Sequence, residues 1–506
     1  MNRPNRSRLA RRRGSGGRSA VSQATWNTFK TSYRPFEILS DDEIEAIHIA
    51  SLKVLRDYGM EVLDSACRDL AKAAGASVEG DCVQFEPELI EELITKAPDR
   101  VIVHARNAKH DVPLHPGHTC VASVGGPAFA TDIDSGRRAA NFEDMCNFSR
   151  LVQSMHVIHI EGGGAVEPVD LPANTRHLDM YMAFATLTDK TWTGYALGTD
   201  RAQDSIEMAA MAAGMSTEEV VDKPVVLTVI NSNSPRRLDG PMGEGLRTYA
   251  TYGQPFAATP FTLAGAMAPA TVAGATVQQN AETLAMVALA QCVRPGTPVI
   301  YGGFTSNVDM KSGSPAFGTP EYSKAVLIGC QLARRYALPY RSSNVTSANA
   351  PDAQAAWESM MSLWAAFTGQ ATLIKQGAGW IEGGLTASFE KFIIDAEMLQ
   401  MMQAFMTPPD MREQEFGLSA MEEVGPGGHF FSTKHTLERY ESAFYSPLIS
   451  DWRNFEAWQE GGKPEAVHHA NRTWKLLLKE YEEPAMDIGI REALEAFVAK
   501  RKQQLS

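Results

Sequence analysis

The sequence predicts an α/β fold, a TIM (β/α)8 barrel with a helical cap before it and a helical extension after it. Short β-branched or aromatic runs alternate with longer helical segments in the middle of the chain, which is typical of βα units and a parallel sheet. Eight such units fit into about 280 residues, the usual size of such a barrel. A doubly wound sheet is the rival fold, but no G-x-G-x-x-G motif follows the first strand.

The predicted strands are short, and many end beside Gly, Asn or Ser. Trp192 alternates differently from Tyr195, so we expect its side chain to face away from the barrel interior. The eight predicted strands are Val121–Gly125, Val157–Glu161, Thr191–Leu197, Val225–Ile230, Phe256–Pro260, Pro298–Gly302, Pro339–Ser343 and Ala371–Gln376.

Helical segments separate these strands. Thr319 precedes Pro320 and Glu321, an arrangement that suits an N-cap, a proline in the first turn and an early acid. The predicted helices start at Glu143 and then cover Asn174–Leu187, Asp204–Ala213, Ala273–Gln291, Pro320–Tyr336, Asp352–Phe367 and Phe389–Ala404.

The flanking regions differ in composition. Residues 1–20 are rich in Arg, Gly and Ser and are interpreted as a disordered basic tail. Residues 36–118 are predicted to form an N-terminal helical cap, residues 119–406 the barrel domain, and residues 407–506 a C-terminal helical extension. The predicted cap helices are Asp41–Tyr58, Ser65–Ala73 and Pro87–Ala97.

Charge and composition exclude several classes of function. The chain has 506 residues and a formal net charge of −13, which argues against nucleic acid as the main partner. No apolar run approaches the roughly 20 residues of a membrane helix. The six cysteines form no CxxC pair and no HExxH motif is present, so we expect reduced thiols, no metal site and a cytoplasmic location.

The reacting groups of a TIM barrel lie at the carboxyl ends of its strands and in the loops that follow. Those positions contain no His or Cys and few acids, so no residue is assigned as a catalytic acid or base. They offer amides, hydroxyls, glycines and aromatic rings instead. Aromatic faces attract a quaternary ammonium by on the order of 0.5–2 kcal/mol each. The candidate rings are Tyr195, Tyr301, Phe304 and Trp380, and their alternative role is core packing.

Two cationic residues end predicted strands. Arg341 is the candidate to bind a substrate carboxylate, because its planar fork matches two oxygens, and the alternative is a salt bridge to a loop acid. Lys375 is positioned to form a Schiff base, but we expect an outward-facing, solvated side chain.

Segments along the chain resemble the trimethylamine methyltransferase family, whose members also demethylate glycine betaine. The likeness runs from about residue 36 to the end, and its most informative segments follow predicted barrel strands or begin helices. These segments are Asn231–Pro235, Phe261–Gly274, Gln279–Glu282, Val308–Gly313, Gly318–Glu321, Pro351–Gln354, Glu382–Glu390 and Gly425–Phe430.

The resemblance implies a TIM barrel, a small methylated amine or betaine as substrate, and a separate corrinoid protein that accepts the methyl group. No cofactor is expected to bind this chain directly. Methyl transfer from a quaternary nitrogen moves no proton, so positioning carries much of the rate. In this interpretation Tyr301, Phe304 and Trp380 hold the cation and Arg341 holds the carboxylate, while the site is lined by Asn231, Asn233, Asn307, Asn344 and Glu382.

One departure from the family affects the choice of substrate. Archaeal trimethylamine enzymes carry pyrrolysine, whereas this sequence has only standard residues; the replaced position is expected near Asn344–Ala348. This favours a quaternary compound such as glycine betaine over trimethylamine. The alternatives are trimethylamine itself, a Schiff-base lyase or aldolase that uses Lys375, and a non-catalytic betaine-binding protein. A homo-oligomer is also expected.

Overall fold

The structure, a computed structural model, describes residues 21–505 and has a mixed α/β fold. The predicted basic tail, residues 1–20, lies outside the described residues. Within the described part, eight short strands alternate with eight helices between residues 118 and 406, in the order that the sequence predicts.

Seven of the eight strands lie inside their predicted ranges, and the first begins three residues earlier, at His118. Each strand is only two to four residues long and is followed by a loop. The strands are β1 His118–Val121, β2 Ile160–Glu161, β3 Thr191–Trp192, β4 Thr228–Ile230, β5 Phe256–Ala258, β6 Val299–Gly302, β7 Tyr340–Ser343 and β8 Leu373–Lys375.

The strands pair in parallel with their neighbours along the chain. Ladders join β4 to β5, β5 to β6, β6 to β7, β7 to β8, β8 to β1, and β2 to β3. Single parallel bridges join Ala122 to Ile160 and Thr193 to Leu227, so β1 is connected to β2 and β3 to β4. In the β7–β8 ladder Arg341 is opposite Leu373 and Ser343 is opposite Lys375.

The helices between the strands agree with the predicted segments, with one addition. The helix Gly240–Thr251 was not predicted, because Gly243 and Gly245 are poor helix formers. Packing requires Gly245, since a Cβ there would come 2.0 Å from the carbonyl oxygen of Ala196. The helices are α1 Phe142–Ser154, α2 Arg176–Leu187, α3 Thr199–Ala212, α4 Gly240–Thr251, α5 Val272–Val293, α6 Pro320–Arg335, α7 Ala353–Thr368 and α8 Phe389–Met406.

The region before the barrel strands contains the three predicted helices, observed at Asp41–Asp57, Ser65–Ala73 and Pro87–Ile94. Strands and a hairpin, which were not predicted, are present beside these helices. Met60–Val62, Ser77–Glu79 and Cys82–Gln84 form a sheet with Arg237–Leu238, and Val101–Val103 pairs with Val112–Leu114.

After residue 406 the helices are Leu418–Val424, Lys434–Arg439, Phe455–Glu460, Ala466–Glu480 and Ile488–Leu505. Short strands also occur in the loops after the parallel strands, at Phe129–Thr131, Arg138–Ala139, Phe261–Ala264, Phe304–Val308, Pro315–Ala316, Trp380–Ile381 and Thr386–Ser388, and Phe29–Lys30 pairs with β1. No helix within residues 21–505 combines the length and apolar character needed to cross a membrane.

Two sets of apolar side chains cover the two faces of the strands. The helix-facing set belongs to the large core; Trp192 packs there, 6.4 Å from the ring of Phe184 in α2, on the side that the alternation predicts. The side chains on the opposite face of the strands contact each other and form a separate buried cluster. That cluster contains Cys120, Ala122, Ile160, Leu227, Ala257, Ile300 and Leu373 together with Val103, Val112 and Leu114 of the hairpin.

Lys190 stabilises the turn between α1 and β2. Its buried ammonium donates hydrogen bonds to the carbonyl oxygens of Val152, Met155 and Ile158 at 2.6, 2.9 and 2.7 Å. The carbonyl oxygens at the end of a helix lack intrahelical partners, so a buried cation there both satisfies them and complements the helix dipole.

We predict that Lys190→Met lowers the stability of the protein by roughly 3–5 kcal/mol, because buried carbonyl groups lose their donor. The measurement is the thermal unfolding midpoint, with the exposed Lys53→Met as the control for loss of one positive charge. Equal unfolding midpoints in the two variants would contradict this role.

Candidate active site

A cavity of about 590 Å³ lies at the carboxyl ends of the parallel strands, where the sequence predicts the site. The segments after β1, β2, β3, β4, β5, β6 and β8 contribute to it, and β4, β7 and β8 also contribute residues of their own. The lining contains no Asp, Glu, His or Cys. It consists of Gly125, Gly126, Gly162, Gly163, Thr193, Gly194, Tyr195, Ala196, Leu197, Thr228, Val229, Asn231, Ser232, Asn233, Ser234, Met242, Thr259, Phe261, Met267, Phe304, Arg341, Lys375, Gln376 and Trp380.

Aromatic rings form one wall of the cavity. The ring centroids of Phe304 and Trp380 are 6.2 Å apart, and the ring of Phe261 lies 5.2 Å from that of Phe304. Trp380 packs against Gly384, where φ is 98° and an added Cβ would come 2.5 Å from the indole. Phe261 was not among the predicted site residues. Its position in the loop after β5 was the feature of the sequence that could have indicated it.

Tyr195 also lines the cavity, but its polar end is already occupied. Its hydroxyl donates to the carboxylate of Glu167, which forms an ion pair with Arg176 at 3.0 Å. Burial and the Glu167 charge raise the pKa of Tyr195 well above its usual value. Tyr195 is therefore a neutral wall of the cavity with a fixed orientation.

Four predicted site residues lie outside the cavity lining. Tyr301 belongs to the helix-facing set, because its neighbour Ile300 points to the opposite face; its hydroxyl donates to Asn280 at 2.8 Å. Asn307 accepts a hydrogen bond from Thr319, and Asn344 donates to Asp395. Glu382 forms an ion pair with Arg137 at 2.9 Å. These four side chains are therefore paired outside the cavity lining, and their roles in substrate binding stay predictions.

Arg341 points into the cavity from β7 and is 3% exposed. One guanidinium nitrogen, Nη1, donates to the carbonyl oxygen of Gly303 at 3.3 Å, and the guanidinium carbon lies 5.3 Å from the centre of the Phe304 ring. Burial lowers the pKa of Arg341 to about 10. No carboxylate of residues 21–505 pairs with this side chain, so the alternative of a salt bridge to a loop acid was wrong.

Lys375 also points into the cavity, and the expectation of an outward-facing, solvated side chain was wrong. The residue is 3% exposed, and its Nζ donates to the carbonyl oxygen of Gly162 and to Oγ1 of Thr193, both at 2.8 Å. Burial, and then the charge of Arg341, lower the pKa of Lys375 to about 7. The alternation along β8 explains the direction, because Leu373 belongs to the inner cluster and Lys375 is two residues further.

Comparison with known proteins matches residues 5–506 to the trimethylamine methyltransferase family. The chain belongs to this family. One relative is the glycine betaine methyltransferase of Desulfitobacterium hafniense (strain Y51), 35% identical over 471 residues that cover 93% of this chain and 98% of the relative.

More distant members of the trimethylamine methyltransferase family act on other amines. The trimethylamine methyltransferase MttB1 of Methanosarcina mazei is 26% identical over 483 residues, covering 92% of this chain and 94% of that protein. The proline betaine:corrinoid methyltransferase of Eubacterium limosum is 25% identical over 440 residues, covering 85% and 88%.

Two of the segments that carry the family resemblance meet in the structure. Glu282 of α5 is buried and accepts hydrogen bonds from Ser232 Oγ, Ser234 Oγ and the backbone N–H of Arg236 at 2.5, 2.7 and 2.8 Å. These residues belong to the loop after β4 that carries Asn231 and Asn233 to the cavity. The carboxylate of Glu282 therefore fixes the loop after β4 from the side that faces away from the cavity.

Two further carboxylates hold glycine turns at the cavity in this methyltransferase. Glu161 accepts from the N–H groups of Gly163 and Gly164 at 2.7 and 3.1 Å, and burial raises its pKa to about 7. Asp395 of α8 accepts from the N–H of Gly379 at 2.8 Å and pairs with buried Lys391. Neither acid was predicted. The sequence signal for Glu161 was its place directly before three glycines, whereas Asp395 lies within α8 and has no such signal.

Among the described side chains, no group of three or more His, Cys, Asp and Glu is placed to hold a metal ion.

We predict that Glu282→Gln raises KM for the methyl donor roughly tenfold, since one of the charge-assisted acceptors of the β4 loop is lost. kcat should fall less than kcat/KM, because the change loosens the loop but leaves the aromatic wall and Arg341 in place. Steady-state kinetics measure this, with Glu321→Gln on the exposed side of α6 as the control. An unchanged KM would contradict the positioning role.

Proposed function

We propose that this enzyme removes a methyl group from a quaternary amine that also bears a carboxylate, glycine betaine or a similar betaine, and transfers it to Co(I) of a separate corrinoid protein. The observation that carries the proposal is a cavity with an aromatic wall and two buried cations, Arg341 and Lys375, and no carboxylate in its lining. The named activities of the glycine betaine and proline betaine relatives support it.

The two ends of a betaine match the two parts of the cavity. A quaternary ammonium has no N–H, so it gains from aromatic faces such as those of Phe304 and Trp380 rather than from hydrogen bonds. A carboxylate gains from the planar donor set of Arg341. Since a single methylene group separates the two charges in glycine betaine, ring and guanidinium must be close, and Arg341 lies against Phe304.

The reaction needs no acid or base from the protein. Displacement at a methyl carbon of a quaternary nitrogen breaks the C–N bond, and the leaving group is a neutral tertiary amine that keeps the electron pair. The corrinoid of the partner protein would supply the nucleophile and accept the methyl group. The lining fits this role because it contains no His or Cys that would compete for cobalt. Its residues orient the donor and exclude water.

A bare ammonium ion suits the cavity less well. Two cations with no carboxylate in the lining repel trimethylammonium or choline, whereas a betaine brings its own compensating charge. Trimethylamine is therefore the weaker alternative. A protein that only binds betaine remains an alternative that the corrinoid experiment below distinguishes.

One observation favours a second reaction. A buried lysine with a pKa of about 7 has the neutral amine that attacks a carbonyl to give an imine and water. Lys375 would then act as a Schiff-base residue. Borohydride reduction with a keto acid would trap that adduct on Lys375; absence of the adduct by mass spectrometry removes this alternative.

We also propose that the parallel strands close into a TIM barrel, with residues 36–118 as a cap, 119–406 as the barrel domain and 407–506 as an extension. The pairings support this, because the ladders and the two bridges lead from β1 through β8 and back to β1. A homo-oligomer and a cytoplasmic location stay predictions.

The reaction itself is tested by corrinoid methylation. We expect methyl-Co(III) to form when the enzyme is mixed with a reduced, competent corrinoid protein and glycine betaine or another betaine, and not with choline or trimethylamine. The visible absorbance change from Co(I) measures it. Methylation from trimethylamine alone, or from no donor at all, would contradict the proposal.

The aromatic wall is tested by truncation. We expect Phe304→Ala and Trp380→Ala each to weaken glycine betaine binding roughly 3- to 30-fold, because each ring contributes cation–π attraction. Calorimetric titration measures the affinity. The matched control is Trp357→Ala, which removes an indole that is 63% exposed on α7. Unchanged affinity in both cavity variants would mean that the cation binds elsewhere.

A further inference from the structure

We propose that Lys375 is a second carboxylate-binding residue, which together with Arg341 selects substrates by charge and orients them with the carboxylate deep and the methyl groups outward. This inference rests on the proposed function, because it concerns the same cavity and the same class of substrate. It assigns to Lys375 a role in binding and specificity in place of a Schiff base.

Lys375 and Arg341 both have hydrogen-bond donors that the described protein does not use. An ammonium group has three N–H donors, and Lys375 uses two of them, on Gly162 and Thr193. Arg341 uses Nη1 on Gly303, and its buried Nε has no hydrogen-bond partner among residues 21–505. Both side chains line the cavity, so the donors that remain are available to an anion there.

The positive charges of Arg341 and Lys375 also favour an anionic ligand in the cavity. Two buried cations that interact unfavourably with each other are costly unless an anion joins them. The carboxylate that interacts with Lys375, Glu161, uses its oxygens on Gly163 and Gly164 and is absent from the cavity lining. Within residues 21–505 no carboxylate therefore faces the cavity beside the two cations, and a ligand carboxylate completes the arrangement.

The two cations lie deeper in the cavity than the aromatic rings do. Arg341 and Lys375 belong to β7 and β8 themselves, whereas Phe304 and Trp380 lie in the segments after β6 and β8. The cations are thus at the level of the strands, and the rings are nearer the mouth. A betaine bound between them has its carboxylate at the floor and its methyl groups toward the opening, where the corrinoid must approach.

Selectivity follows from this arrangement. A ligand with a carboxylate meets two cations, while a ligand that has only an ammonium is repelled by them. Discrimination that depends on leaving buried charges unpaired is strong, because the wrong ligand gains nothing to offset their desolvation.

The test combines three ligands with three variants. The ligands are glycine betaine, tetramethylammonium, which lacks the carboxylate, and 3,3-dimethylbutanoate, its carbon isostere that lacks the positive charge. The variants are Lys375→Met, Arg341→Met and, as the control, Lys324→Met on the exposed side of α6. Calorimetric titration gives the dissociation constants, and thermal unfolding establishes that each variant is folded.

We expect Lys375→Met to weaken the binding of glycine betaine and of 3,3-dimethylbutanoate roughly 10- to 100-fold. Binding of tetramethylammonium should tighten by about threefold or more, because one repelling charge is gone. Lys324→Met should leave all three affinities as in the wild type. If Lys375→Met binds all three ligands like the wild type, the role of Lys375 is wrong while the proposed function stands.

A wild-type measurement keeps the proposal falsifiable if Lys375→Met does not fold. In trace acetylation with mass spectrometry, saturating 3,3-dimethylbutanoate should protect Lys375 several-fold, and tetramethylammonium should not. Full reactivity of Lys375 under a saturating carboxylate ligand would overturn the inference. Failure of the wild type to bind or demethylate any betaine would instead overturn the proposed function.

Discussion

The buried positive charge of Arg341 and Lys375 is the constraint on which the rest of the site depends. Burial lowers the pKa of both side chains because it removes the water that would otherwise stabilise their charges, and the charge of Arg341 lowers the pKa of Lys375 further. The fold holds them with neutral groups: the carbonyl oxygens of Gly162 and Gly303 and the hydroxyl of Thr193. Dipoles of this kind keep a cation in place without neutralising it, so its charge remains available at the cavity.

The acidic residues near the site lie outside the cavity lining and stabilise its loops. Glu161, Glu282 and Asp395 each accept backbone or hydroxyl hydrogen bonds from a loop that reaches the cavity, yet none of them lines it. A carboxylate in the lining would pair with Arg341 or Lys375 and compete with the substrate. A carboxylate behind the cavity therefore orders a loop, whereas a carboxylate in the cavity lining would inhibit substrate binding.

The strand–helix alternation made the order of the elements predictable, because period-two and helical patterns are local properties of the sequence. Helix α4 was missed since its glycines oppose helix formation, and only tertiary packing against Ala196 explains them. Side-chain direction was less predictable. Tyr301 faces the helices and Phe304 faces the cavity, because residues three apart along an extended segment point to opposite sides. Lys375 was misjudged because solvation is the common state of lysine, whereas the inner position of Leu373 already fixed its direction.

The contact between Trp380 and Gly384 has an optical consequence. With no side chain at residue 384, the indole packs closely against this glycine, and its ring plane is tilted by 52° to that of Phe304. Its Nε1 is buried without a hydrogen-bond partner in the described structure. The emission of an indole in such surroundings responds strongly to a charge that arrives at its face. The enzyme thus carries its own fluorophore at the place where the ammonium group is expected, and the arrival of a substrate can be followed in real time without a label.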